Sequence, residues 1–237
     1  MMILAIECSA KAASAAIGLD GELYAQYFQN NGQTHSRSIM TMIRDMFACC
    51  GKKLEDVDAI AVSVGPGSFT GLRIGIAAAK GLAWAGDKPC IAVSTLEAMA
   101  AQIAFAEGII CCGMDARRGQ IYNALFESEG GKPQRLTPDR AISLEELGNE
   151  LKDEKKSIIT IGDGASLCYN HLKDNGLDVF KAPQNLIMQS AEGVLLAAQR
   201  LFEEGKTISC GELEPNYLRL SQAERERLEK IQGAGKF

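Results

Sequence analysis

The chain has 237 residues, 46% of them apolar and 23% charged; this suits one large domain or two of roughly 100 residues and excludes wholesale disorder and fibrous structure. Twenty-five basic against 30 acidic residues leave a formal net charge of −5 without long runs of like sign, which argues against a chain that grips nucleic acid by itself. Eight cysteines occur without any C-x-x-C, so zinc-ribbon and thioredoxin-like chemistry is excluded. The first apolar run, Met2 to Ile6, reaches Glu7-Cys8-Ser9 and is followed by Ala13 to Leu19, an Asp20-Gly21 hairpin signal and Glu22 to Phe28, a three-strand meander. Ser36 to Cys50 has helical period through Ile39, Met40, Ile43, Met46 and Phe47, with Gly51 as its stop. Val57 to Val64 reads as a buried strand, Thr70 to Ala85 as a helix, Cys90 to Val93 as a short strand, and Ser94-Thr95-Leu96-Glu97 as the start of another helix.

From Ile109 the same order starts again. Ile109 to Met114 and Gln120 to Glu127 read as strands around a turn at Asp115 to Gly119, and Gly130-Gly131 precedes a weaker third strand. Ser143-Leu144-Glu145-Glu146 begins a helix ending near Lys152, Ser157 to Ile161 is a strand, and Gly162-Asp163-Gly164 leads into a helix from Ala165. A short strand at Val179-Phe180 and a helix over Ser190 to Glu204 complete a tandem βββαβαβα pattern, an α/β protein with mixed sheets. The repeat is architectural, without residue identity between the halves. It divides the chain into an N-terminal lobe at 1–105, a C-terminal lobe at 106–220 whose last helix is free to pack back on the first, and a charged tail at 221–237.

The cysteine doublets at Cys49-Cys50 and Cys111-Cys112 read as core residues in a reducing compartment, which makes the cytoplasm the expected location. The N-terminus lacks the basic and apolar regions of a signal peptide, and no segment is apolar for the roughly 18 residues a membrane span needs.

The stretch Gly65-Pro66-Gly67-Ser68-Phe69-Thr70-Gly71-Leu72-Arg73-Ile74-Gly75 lies between a strand and a helix, where phosphate loops live. It lacks the Lys-Ser/Thr pair of a P-loop and the third glycine of a dinucleotide fingerprint. The helix that follows carries Gly71, Gly75 and Gly81 among alanines, and three interior glycines cost roughly 2 kcal/mol that close packing must offset. Something approaches this helix closely, either its own lobe or another subunit with the methionine-bearing Ile39 to Phe47 helix beside it. Glu7 and Asp115 end the first strands of the two halves. They are candidates for two carboxylates across a cleft that takes nucleotide phosphate with magnesium, or else turn residues with local hydrogen bonds. Arg117 and Arg118 offer an anion clamp there. His35 and His171 are isolated in different halves, without H-x-x-x-H or H-E-x-x-H, so a metal pair is not expected; nor does the sequence offer partners for a Ser-His hydrolase at His35-Ser36.

Taken together, Ile3-Leu4-Ala5-Ile6-Glu7-Cys8-Ser9, His35-Ser36, the glycine-rich Gly65 to Gly75 segment, Met114-Asp115-Ala116-Arg117-Arg118 with Tyr122, and Pro215-Asn216-Tyr217-Leu218-Arg219 closely resemble the TsaB (YeaZ) family, in the right order over nearly the whole chain. The resemblance implies a two-lobed actin-like, sugar kinase and Hsp70 ATPase fold. It also implies a cytoplasmic, non-catalytic subunit needed to form N6-threonylcarbamoyladenosine at position 37 of tRNAs that read codons starting with A. Such a subunit docks and activates a TsaD-like catalytic subunit together with the ATPase TsaE, forms homodimers, and meets tRNA only through the complex. The TsaD-like H-x-x-x-H metal pair is missing here, and Glu7 and Cys8 replace the aspartate and small residue of the usual first phosphate loop. The partner interface is therefore expected at Ile39, Met40, Ile43, Phe47, Gly71, Ile74, Gly75, Ala78 and Leu82. A nucleotide or anion cleft is expected at Glu7, Ser9, Asp115, Arg117 and Arg118. No catalytic residue, metal or required cofactor is expected, beyond weak ATP or ADP with magnesium at the lobe or complex interface. The alternative is an ATP-dependent small-molecule kinase or ATPase of the same fold.

Overall fold

The computed structural model describes residues 1–219; the charged tail expected at 221–237 lies outside the described residues. The first half forms strands β1 (Met2–Glu7), β2 (Ala13–Leu19) and β3 (Glu22–Gln29), helix α1 (His35–Cys50), β4 (Ala59–Gly65), α2 (Phe69–Gly86), β5 (Cys90–Ser94) and α3 (Thr95–Gln102). The second half forms β6 (Gly108–Arg117), β7 (Gln120–Glu129), β8 (Lys132–Arg135), β9 (Arg140–Ser143), α4 (Leu144–Leu151), β10 (Ile158–Ile161), α5 (Ala165–Asp174), β11 (Val179–Lys181) and α6 (Ala191–Glu203). The first sheet runs β3-β2-β1-β4-β5 and the second β8-β7-β6-β10-β11, so each half places its first strand centrally between an antiparallel hairpin and a parallel crossover. Equal strand order without residue identity establishes the duplication, and with it the two-lobed α/β fold of the actin-like and sugar kinase type.

The second half departs from the expected pattern at one place. Its third strand is split: β8 pairs Phe126 to Glu129 of β7, and β9 pairs Gln120 to Asn123. Pro138 lies in the break between them, where a proline has no N–H to donate to the ladder, so the chain leaves the sheet after β8 and returns as β9.

Both faces of the first sheet are covered, which explains why β1 and β4 are buried along their whole length. Leu4, Ile6, Ile60 and Val62 pack under α1 and α2. Ile3, Ala5, Ala59 and Ala61 face α3 and α6, the latter through Val194 and Leu195. Gly18 lies beneath Leu195, and a Cβ there would overlap the leucine side chain. Helix α3 also supplies Leu96, Met99 and Ile103 to the core of the second sheet, beside Ile110, Phe126 and Ile161. One helix thus belongs to both lobes.

The chain after α6 returns to the first lobe. Ile208 bridges Cys90 on the edge of β5, Leu213 is fully buried in the α1–α2 core, and the Asn216 amide donates to the Val64 carbonyl at 2.7 Å. Tyr217 stacks on Phe69 with ring centroids 4.5 Å apart, and the Arg73 Nε donates to its hydroxyl at 2.8 Å. Cys8, Cys90, Cys111, Cys112 and Cys168 are buried as expected, but Cys49 is a correction: it is exposed near the end of α1, its Sγ 3.1 Å from the Tyr27 hydroxyl. It falls on the outward stripe of α1, where helical period outranks apolar context. Among the described residues no helix is long and apolar enough to cross a membrane.

Candidate functional site

Between the lobes lies a cleft of about 500 Å³. The β1–β2 turn brings Ser9, Ala10 and Lys11 to it, and the first turn of α2 brings Gly67 to Thr70. The second lobe brings Met114 to Arg117 from the β6–β7 hairpin, Tyr122 from β7 and Asp163 from the turn after β10, and Arg219 completes the rim. Ser9, Asp115 and Arg117 therefore meet as expected. Arg118 does not line the cleft; it stands exposed at the hairpin tip in a left-handed conformation, with φ 57°. Glu7 stands behind the lining, fully buried at the end of β1.

Glu7 is turned into its own loop rather than across the cleft. One carboxylate oxygen accepts the Ser9 backbone N–H, and the other has no partner. Burial pushes the Glu7 carboxyl above its ordinary range; the hydrogen bonds from Ser9 oppose this, while Asp163 adds to it. Asp163 is raised in the same way, first by burial, then by Asp115, against a hydrogen bond from Gln189 at 3.0 Å and the charge of Lys11. Asp115 accepts the Arg117 backbone N–H at 2.7 Å, the local turn bond that the sequence left open as an alternative.

The β4–α2 loop lies flush on the β1–β2 turn. Ser68 N–H donates to the Ser9 carbonyl at 2.7 Å, a Cβ on Gly67 would stand 2.5 Å from that same oxygen, and one on Gly71 would overlap the Cys8 carbonyl. A Cβ on Gly75 would sit 3.1 Å from that of Cys8. What approaches Gly71 and Gly75 is therefore the chain's own β1–β2 turn, at Cys8 just past the end of β1. Among the described residues the opposite side of α2 is open: Gly81 has nothing within 4 Å of its would-be Cβ, Trp84 is 80% exposed, and Ala77 and Ala85 are exposed. On α1, which packs beside α2, Met40 is exposed and Phe47 partly so. Of the expected interface residues, Ile39, Ile43, Gly71 and Gly75 are buried beneath this surface, whereas Met40, Phe47, Ile74, Ala78 and Leu82 reach it.

These contacts decide how well the cleft suits a magnesium nucleotide. Phosphate binding at the β1–β2 turn needs its amides free, yet Glu7 holds the Ser9 N–H and Ser9 O holds the facing loop shut. Among the described residues no three His, Cys, Asp or Glu side chains converge to hold a metal ion. The residues at this turn do not fit the group. His35 Nε2 donates to the Ala10 carbonyl at 2.8 Å, and His171 packs on Gly148 of α4, so the histidines serve separate places.

Lys11, Asp163 and Arg219 are cleft residues that pattern reading passed over. Asp163 had a signal, the Gly162-Asp163-Gly164 turn at a strand-to-helix switch in the place that Gly65 to Gly67 occupies in the first lobe. Arg219 stood only in the Pro215 to Arg219 stretch that carries the resemblance, with no role attached, because only the return of the chain after α6 brings it to the rim.

The family model described as TsaD: tRNA N6-adenosine threonylcarbamoyltransferase matches residues 26–227. The tRNA threonylcarbamoyladenosine biosynthesis protein TsaB of Bacillus subtilis (strain 168) is 31% identical, over 97% of this chain and 99% of its own length. The protein of that name from Escherichia coli (strain K12) is 33% identical, over 92% of this chain and 95% of its own. The solved structure of YeaZ from Pseudomonas aeruginosa superposes with a TM-score of 0.80 at 25% identity, covering 92% of this chain and 99% of that one. With identity spread over both lobes and the same fold throughout, this chain belongs to the TsaB (YeaZ) family.

Proposed function

We propose that this chain acts in tRNA threonylcarbamoyladenosine biosynthesis as a non-catalytic subunit, docking and activating a TsaD-like catalytic subunit together with a TsaE-like ATPase. The observation that carries the docking reading is the open face of α2, where Ala77, Gly81, Trp84 and Ala85 expose apolar and small side chains with nothing among the described residues packed over them. Small residues let a second helix come close, and Trp84 with Met40 supplies the kind of exposed anchor that interfaces bury. The same face serves a homodimer, so homodimer and catalytic complex compete for it. tRNA then meets this chain only through the complex, in keeping with the net charge of −5. The chain itself requires no cofactor in this reading, and weak ATP or ADP with magnesium is left to the lobe or complex interface away from the β1–β2 turn, whose residues do not fit it.

The test replaces Gly81 with Arg. Because nothing lies within 4 Å of its would-be Cβ, the variant keeps the melting temperature of the parent chain while a long charged side chain blocks the face. Sedimentation of the chain alone and co-purification with the catalytic subunit are both expected to show loss of association. Retained association with either partner would remove the docking face from the proposal. For the alternative kinase or ATPase, tight binding of ATP with magnesium by the isolated chain, with turnover, is the outcome that would displace the subunit reading.

A further inference from the structure

The inter-lobe cleft gathers charge of both signs without direct ion pairing among the described residues. Lys11 and Arg117 bring cations from the turns of the two lobes and Arg219 brings a third from the returning chain, while Asp115 and Asp163 bring carboxylates from the second lobe. Among the described residues no ion pair joins any of these five. Arg219 donates one N–H to the Ala116 carbonyl at 2.7 Å, and Asp163 accepts one bond from Gln189, so each keeps hydrogen-bonding capacity in hand. The first turn of the 18-residue helix α2 lines the same cleft and adds the positive end of its dipole.

A ligand of one sign does not match this set. A plain anion meets the two carboxylates, and a metal ion finds no converging group of three ligands among the described residues. Phosphate is further disfavoured at the β1–β2 turn, where the Ser9 amide is already held by Glu7. A small molecule with an ammonium and a carboxylate a few bonds apart satisfies both sets. An ammonium presents three donors for carboxylate acceptors, and an arginine fork matches a carboxylate in bidentate fashion.

We propose that the cleft binds a free α-amino acid as its zwitterion, the carboxylate held by Arg117, Arg219 and the α2 N-terminus and the ammonium by Asp115 and Asp163. The apolar walls at Tyr122, Phe69 and Met114 receive the side chain, and about 500 Å³ leaves room for one of moderate size. The site stands independently of the docking face on α1 and α2.

Calorimetric titration of the full chain with L-alanine, L-threonine and L-phenylalanine tests it, with acetate, methylamine, inorganic phosphate and ATP with magnesium as comparison probes. Saturable binding of at least one amino acid is expected, with Kd between about 10 μM and 1 mM, and none by acetate or methylamine alone. Asp163→Asn and Arg117→Gln are each expected to weaken that binding by about tenfold or more, the loss of roughly 1.4 kcal/mol. Arg117 is on an exposed hairpin, so its variant keeps the test open should Asp163→Asn fail to fold. The proposal is overturned by no amino acid binding up to about 10 mM, by phosphate, acetate or nucleotide binding as tightly as the amino acids, or by binding that neither substitution alters.

Discussion

Glu7 concentrates the unusual chemistry of the molecule in one side chain. A carboxylate with no solvent exposure, one hydrogen-bonded oxygen and one without a partner is held by the fold at the expense of its ionised form. Burial raises its pKa in the folded state, so between the unfolded and folded values the folded chain holds more protons and stability falls as pH rises. Glu7→Gln keeps an oxygen for the Ser9 N–H and removes the charge. Its melting temperature is expected to exceed that of the parent near neutral pH, with the gain shrinking as the pH falls toward the ordinary carboxylate range. A gain that instead grows on acidification, followed by thermal denaturation across pH, would rule out a raised Glu7. Cys8 next to it is pushed up as well, chiefly by burial and then by Glu7, which leaves a packing residue rather than a nucleophile.

At the scale of elements, α2 shows two kinds of glycine in one helix. Gly71 is required because the Cys8 carbonyl occupies the space of its Cβ; Gly81 is in open space. Gly71→Ala forces the helix off β1 and is expected to destabilise by roughly 1–3 kcal/mol. Gly81→Ala restores helix propensity without a clash and is expected to stabilise by about 0.5–1 kcal/mol. Urea denaturation separates them by sign, and equal effects would mean that the two faces of α2 are not distinct. Gly81 keeps a helix-propensity cost that no packing among the described residues offsets.

The whole molecule is held together across its two halves by elements that ignore the repeat. Helix α6 comes from the second half yet covers the first sheet, α3 packs in both cores, and the chain after α6 buries Leu213 in the first lobe. Glu97 of α3 also accepts from Arg200 of α6 and pairs with Arg135 of β8 at 3.5 Å, which draws α3, α6 and β8 together at the surface. Neither lobe has a complete core without chain from the other, so a single cooperative unfolding transition is expected by calorimetry. Leu213→Ala removes a fully buried side chain and is expected to cost about 2–5 kcal/mol while keeping that one transition. Two resolved transitions, with only one moved by the substitution, would show that the lobes unfold separately.

Much of this was legible in the residues. Alternating and helical periods located nearly every element, because each buries one face and period follows from which face is buried. His35 and His171 lack an H-x-x-x-H spacing in the sequence, but only the fold shows that they stand at separate places, against Ala10 and Gly148. Duplication could be suspected from element order, but β9 could not, because the chain's return to β7 after Pro138 depends on the tertiary pairing of that strand. Glycine spacing in α2 announced a close approach without naming the neighbour: Cys8 is about 60 residues away, and only the β1–β4 pairing brings it there. The cleft shows the same boundary. Ser9, Asp115 and Arg117 mark themselves by their place at strand ends, whereas Lys11, Asp163 and Arg219 become one site only when both sheets and the returning chain are in place. Sequence by itself determined the local elements, the composition of the cores and the family, because these depend on short-range period and residue type. Tertiary structure decided which glycines are packed and which are open, that Glu7 faces its own loop, and which charges share a cleft, because each depends on contacts between segments far apart along the chain.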